Sequence, residues 1–270
     1  KLFTKVYDGK AMDYDQMVKD FEAIYDQIVP MIKETTHIVN EALDEDKIVL
    51  FEGAQAAMLD INCGTYPYVT SSSPTSAGVT TGACVAPNRI QTVVGVVKAY
   101  STRVGEGPFV TELNDETGQW IREKGFEYGA TTGRPRRCGW LDLLVVKHAT
   151  MMNGLTDIVL TKIDVLSGLD KLYVCTGYEI DGKVYDYIPS DQAMVAKANQ
   201  SIKNLMDGKR IFPKWKASMN YRKIVKHIFA LSKSLPVFVC RWFLSDRIVS
   251  IIFTFMKSKR SCGFFFDEKM

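Results

Sequence analysis

Apolar residues recur at helical spacing early in the chain: Tyr14, Met17, Val18, Phe21, Tyr25, Ile28, Val29 and Ile32 share one face, with charged residues on the other. This pattern predicts a helix over residues 12–43, broken once at Pro30. Lys47-Ile-Val-Leu-Phe51 then predicts a short apolar strand running into Glu52-Gly-Ala-Gln55. Thr70-Ser-Ser-Ser-Pro-Thr-Ser-Ala-Gly78 reads as a polar loop leading into a helix. Thr92-Val-Val-Gly-Val-Val97 predicts a buried strand that continues into Ser101–Val104. A helix from about Trp140 to Asn153 and the strand Asp157–Leu160 follow. Leu172–Ile180 and Lys183–Ile188 flank Asp181-Gly182, a two-residue hairpin signal. Continuous apolar strands mixed with helices predict an α/β fold: a mostly parallel sheet covered by helices on both faces, with an edge β-hairpin.

Composition permits a sizeable core, since 46% of the 270 residues are hydrophobic and 24% charged. Charge divides the chain unevenly. Residues 1–200 carry 19 Lys+Arg against 27 Asp+Glu, a net of −8, whereas residues 201–270 carry 15 against 4, a net of +11. The last seventy residues therefore belong to a different physical regime. The six cysteines (Cys63, Cys84, Cys138, Cys175, Cys240 and Cys262) form no C-x-x-C pair, which favours free thiols in a reducing cytosol over metal ligation. No run of 18 uninterrupted apolar residues marks an ordinary transmembrane helix, and a cytoplasmic location is expected. The first residue is Lys1, so processing or an incomplete sequence upstream is expected.

Two segments carry candidate chemistry. Gly129-Ala-Thr-Thr-Gly-Arg-Pro-Arg-Arg137 combines two hydroxyls, two glycines and three arginines. Guanidinium forks engage two oxygens of a carboxylate or phosphate at once, so the segment suits an anion; a solvated basic turn or targeting patch is the structural alternative. Thr161-Lys-Ile-Asp164 follows the strand Asp157–Leu160, at the end of the sheet where α/β ligands gather. A carboxylate there can accept from the N1–H and 2-amino group of guanine and reject adenine, whose N1 is an acceptor. An ordinary strand-end salt bridge is the alternative. Glu52–Gln55 and the Gly-rich turn Ser101-Thr-Arg-Val-Gly-Glu-Gly107 are weaker ligand candidates. No Gly-rich phosphate loop of either common spacing occurs, and His37, His148 and His227 neighbour no nucleophile in a recognisable motif.

Taken together, seven segments resemble the adenylosuccinate synthetase family in order and spacing, over roughly residues 5–190: Phe51–Gln55, Gly64-Thr-Tyr-Pro-Tyr-Val-Thr70, Lys98-Ala-Tyr-Ser-Thr-Arg-Val-Gly105, Gly107-Pro-Phe109, Gly129–Arg134, Gly139-Trp-Leu-Asp142 and Thr161–Asp164. The resemblance implies a P-loop-NTPase-like synthetase fold, incomplete at both ends, and a ligase that joins IMP and L-aspartate to form adenylosuccinate, the first committed step from IMP to AMP. GTP phosphorylates the 6-oxygen of IMP, and the aspartate amine then displaces phosphate, with Mg²⁺ required. It implies IMP contacts at Gln55, Thr70, Val104 and Arg134. Aspartate contacts would come from Gly129, Ala130, Thr131, Thr132, Gly133, Arg134 and Arg136. GTP contacts would come from Arg136, Lys162, Ile163 and Asp164. A homodimer is implied; no nucleic-acid partner is.

The same resemblance places the family's phosphate loop, its catalytic Asp, its catalytic His and the Mg²⁺ ligands before Lys1. It therefore implies no turnover by these 270 residues alone, with a non-catalytic nucleotide-binding remnant as the rival reading. Residues 1–195 are expected to form a partial synthetase domain and residues 196–270 a divergent basic, aromatic tail. That tail reads as a frameshift, retained intron or gene-model error, with membrane-surface or nucleic-acid binding as the other readings.

Overall fold

The computed structural model describes residues 2–130 and 132–207. The chain divides into two compact units, residues 1–49 and the remainder. The first unit contains α1 (Leu2–Lys5), α2 (Tyr14–Ile28) and α3 (Thr35–Asp44). Asp13 caps α2 by accepting from the Gln16 amide, and the helix gives way to a 3-10 turn, Val29–Met31, where Pro30 cannot supply a helical N–H. The break at Pro30 thus falls where the pattern predicts it.

The second unit is the α/β body. It contains α4 (Ala77–Ala83), β1 (Val94–Lys98), β2 (Tyr100–Arg103), α5 (Glu116–Gly125), β3 (Arg137–Asp142), α6 (Leu143–Asn153), β4 (Asp157–Thr161), β5 (Lys171–Ile180), β6 (Lys183–Tyr185), α7 (Gln192–Val195) and β7 (Asn199–Asp207). Parallel pairing joins β1 to β4 and β3 to β5; β2/β3, β5/β6 and β5/β7 are antiparallel. The described sheets are therefore mixed rather than mostly parallel. One reason is local: the turn at Asp181-Gly182, with both residues at positive φ, can only return the chain antiparallel. β7 runs along β5, so the sheet continues past residue 195 to Asp207.

Three expected boundaries shift. Lys47–Phe51 forms no strand among the described residues, because its apolar run meets no ladder partner. The expected strand at 92–104 is two strands: at Ala99, whose N–H donates to Thr161 O, the chain leaves β4 and pairs with β3 instead. The expected helix at Trp140 begins only at Leu143. Asp142 caps it by accepting from the Leu144 and Val145 amides, which leaves Trp140–Asp142 as a buried strand between β2 and β5.

The larger core joins Tyr100, Ile121, Trp140, Leu141, Ile158, Leu160 and Val174, and a second cluster joins Leu144, Cys175, Tyr178, Ile180 and Val195. Asp142 lies within this interior, where Tyr178 Oη donates to it at 2.6 Å. Burial pushes the Asp142 carboxyl up to about 6 despite the hydrogen bonds that favour its charge.

Candidate functional site

The register of β1 and β4 sets Lys98 opposite Thr161, so both strands end at one level. Lys162 follows directly in a left-handed conformation (φ 58°) and starts the short turn Ile163–Leu166. Its Nζ donates to Gly125 O at 3.0 Å, at the end of α5. Ile163 is buried, and Asp164 is half-buried beside it. The Asp164 carboxylate accepts no hydrogen bond among the described residues, which contradicts the reading of this segment as a strand-end salt bridge.

Glu127 stands across from these strand ends. Its side chain is 2% exposed and accepts from Lys98 Nζ at 2.8 Å on each oxygen, from Tyr100 Oη at 2.6 Å and from Arg136 Nη1 at 2.9 Å. Burial raises the Glu127 pKa, but these donors outweigh it and hold the carboxyl below its usual range. The hydroxyl of Tyr100 is correspondingly hard to ionise, through burial and its bond to Glu127.

Between Glu127 and Arg136 the chain makes a tight excursion. Tyr128 bridges Pro135, Gly129 N–H donates to Arg134 O at 2.8 Å, and Gly133 N–H donates to Gly129 O at 2.8 Å. Gly133 sits at φ 65°, a conformation that costs glycine nothing. Thr132 and Arg134 are exposed at its tip with Ala130, while Gly129 is half-buried. Thr131 lies outside the described residues. The three arginines separate by role. Arg137 is neutralised by a two-pronged bond to Glu112 (2.7 and 2.5 Å), Arg136 rests on Glu127, and Arg134 remains exposed.

A second cluster joins Gln55 and Thr70, fifteen residues apart. Gln55 Nε2 donates to Thr70 Oγ1 at 3.0 Å, and Ser72 Oγ donates to Gln55 Oε1 at 2.9 Å. Gln55 adopts φ 68°, a strained position for a residue with a side chain. Arg103 connects the Gly64–Thr70 segment to the Ser101–Gly107 turn, with Nη2 donating to Thr65 Oγ1 at 3.0 Å and Nε to Glu106 O at 2.9 Å. Val104, next to it, is 63% exposed.

The structure thus gathers Gln55 with Thr70, and Lys162 and Arg136 around the Glu127 neighbourhood. Sequence reasoning missed Glu127, Tyr100 and Arg103 as site residues, and gave Lys98 no role. Lys98, Tyr100 and Arg103 at least sit in one of the resembling segments; Glu127 stands two residues before another. His37 pairs with Glu41 within α3, and in α6 His148 Nε2 lies 3.1 Å from Cys63 O. His227 lies outside the described residues.

A family model described as adenylosuccinate synthetase matches residues 1–228. The chain belongs to this family. It is 63% identical over 198 residues to an adenylosuccinate synthetase from Fusobacterium nucleatum, an alignment covering 73% of this chain and 47% of that protein. It is 54% identical over 198 residues to one from Bifidobacterium longum, covering 73% and 46%. A solved structure described as fully ligated adenylosuccinate synthetase from Plasmodium falciparum superimposes with a TM-score of 0.77 at 37% identity, covering 84% of this chain and 56% of that one. The chain spans about half the length of the curated relatives it matches. Family membership and the α/β synthetase fold follow directly.

Proposed function

We propose that this chain carries the substrate-reading portion of a GTP-dependent ligase that joins IMP to L-aspartate. One observation above all supports the reading: Asp164, half-buried and with a carboxylate that accepts no hydrogen bond among the described residues, sits at the strand end beside Lys162, whose amine is parked on Gly125 O. A free carboxylate there suits the two adjacent donors of guanine. Ile163 fixes the turn from within the core.

In the reaction, the 6-oxygen of IMP takes the γ-phosphoryl group of GTP, releasing GDP. The aspartate amine then bonds to C6 as phosphate leaves with the oxygen. Gln55 and Thr70 hold IMP, with Val104 against the ribose and Arg134 reaching the nucleotide. The segment Gly129–Arg136, through Thr132, Arg134 and Arg136, receives aspartate, and Arg136 also meets the GTP phosphates. These roles are what the family resemblance implies, and those of Arg134 and Arg136 fit the affinity of guanidinium forks for carboxylate and phosphate.

Mg²⁺ carries over from the family as a requirement. Among the described residues no group of three or more His, Cys, Asp or Glu is placed to hold a metal ion, so no role toward Mg²⁺ is assigned to any of them. A homodimer in the cytoplasm completes the proposal, with no nucleic-acid partner and no membrane partner unless residues 196–270 are a genuine membrane-surface extension. Among the described residues no helix is long and apolar enough to cross a membrane. We further propose the division of the chain into a synthetase region and a basic, aromatic C-terminal region.

Titration of this chain with IMP, AMP, GTP and ATP tests the reading. IMP and GTP are expected to bind at least about tenfold more tightly than their adenine counterparts. Equal affinity for GTP and ATP would overturn the guanine assignment. Arg134→Leu is expected to weaken IMP and aspartate together, and unchanged affinity for both would return the loop to a structural role.

A further inference from the structure

The cations around Glu127 outnumber its charge. Lys98 and Arg136 bond it directly, and Lys162 lies close enough to act on Lys98 through its field. One buried carboxylate thus stands among three cations, all of them partly open to solvent. The backbone beneath Arg136 is secured without the Glu127 side chain. Arg136 N–H donates to Glu127 O at 2.9 Å, and Arg122 Nε donates to Arg136 O at 2.9 Å. The carboxylate therefore acts on the Arg136 guanidinium rather than on the fold of the loop. It takes Nη1 and leaves Nε, which is buried with no protein partner.

We propose that Glu127 is a positioning residue of the site: its carboxylate fixes the guanidinium of Arg136, aiming the remaining donors at an oxyanion of the substrate. The proposal rests on the ligase reading above and extends it to a residue that touches no substrate. A guanidinium fork recognises a planar or tetrahedral oxyanion only when its plane is fixed, because both hydrogen bonds must form together. Lys98 and Tyr100 hold the carboxylate from the other side, so it cannot follow Arg136 outward. The oxyanion is a GTP phosphate or an aspartate carboxylate, and the two are separable by experiment.

Two effects oppose each other when Glu127 becomes Gln. Removing a negative charge strengthens the binding of any anion nearby, whereas freeing Arg136 weakens it. Water screens the charge change at the partly exposed guanidinium, whereas a fork meets two oxygens together only when its plane is fixed, so loss of orientation is expected to dominate.

The test is calorimetric titration of the 270-residue chain, wild type, Glu127→Gln, Arg136→Ala and the double variant. The ligands are guanosine, GTP with Mg²⁺, and L-aspartate in the presence of IMP and GTP. Glu127→Gln is expected to lose about tenfold in affinity for GTP or for aspartate, with guanosine held within about twofold. Whichever ligand loses affinity names the source of the oxyanion. In the Arg136→Ala background the Glu127 substitution should add nothing, as required of a residue acting through another. A parallel loss of guanosine affinity would mean a merely structural role and overturn the proposal. So would unchanged or tighter binding of both GTP and aspartate, which would make Glu127 a countercharge only. A wild-type chain that binds none of the three ligands overturns the ligase reading itself, and this proposal with it.

Discussion

Lys98 reaches across from the end of β1 and donates to both carboxylate oxygens of Glu127 at 2.8 Å, 29 positions further along the chain. Loss of Lys98 leaves the buried Glu127 carboxylate with Arg136 and Tyr100 as its bonded partners, so Lys98→Met should destabilise the protein by roughly 1–3 kcal/mol, read as a fall in the urea midpoint. Glu127→Gln should cost less, because the amide still accepts from Tyr100 and leaves no stranded anion. If Lys98→Met proved the milder change, the pair would not anchor this region.

Two of the buried carboxylates, Glu127 and Asp142, give opposite pH slopes. Glu127 titrates below its ordinary value near 4.5 in the folded state, so its stabilisation is complete above that value and is lost as pH falls through the folded pKa. Asp142 is raised by burial from 3.8 to about 6, so the folded state holds its proton more tightly and stability falls as pH rises through that window. Asp142→Asn removes the second slope while keeping a cap for α6. Chemical denaturation between pH 4 and 7 should show wild type gaining relative to Asp142→Asn as pH falls. A constant difference across the range would contradict the placement of Asp142 in the interior.

Gly125 lies against the same cluster. A Cβ there would stand 2.4 Å from Tyr100 Oη, so Gly125→Ala must push the tyrosine off Glu127 or bend the end of α5. A loss of about 1–3 kcal/mol is expected, typical of overpacking, together with weaker guanosine binding through the displaced Gly125–Lys162 contact. Wild-type thermal stability in this variant would show that the contact is relieved elsewhere.

Gln55 combines a strained backbone with a proposed contact to IMP. Gln55→Gly relieves the positive φ but makes the unfolded chain more flexible, so stability should stay within about 1 kcal/mol of wild type. IMP affinity should nevertheless fall by about tenfold, because the hydrogen bonds with Thr70 and Ser72 vanish. Undiminished IMP binding would remove Gln55 from the site.

Local signals were legible where local chemistry decides the outcome. Pro30 lacks the N–H that a helix interior needs, so α2 ends before it, and Asp181-Gly182 returns the chain through two positive φ angles. Trp140–Asp142 misled because a short buried run has no period to tell strand from helix, and the cap at Asp142 moves the helix start to Leu143. Lys47–Phe51 misled for the converse reason: a strand needs a partner, and no local pattern supplies one. The paired residues Gln55 and Thr70 came from the family resemblance, which reports contacts across fifteen positions without deriving them. Glu127 stayed hidden because its partners at 98, 100 and 136 converge only once β1, β2 and the loop after α5 are folded together.

The most direct test of the whole account is the nucleotide preference of Asp164→Asn. The amide presents a donor where guanine also donates, while the 2-oxo group of xanthine supplies an acceptor. Wild type should bind GTP in preference to xanthosine triphosphate, and Asp164→Asn should reverse that order by at least about tenfold. An unchanged order in the variant would mean that Asp164 does not read the base, contradicting the assignment on which the proposed function stands.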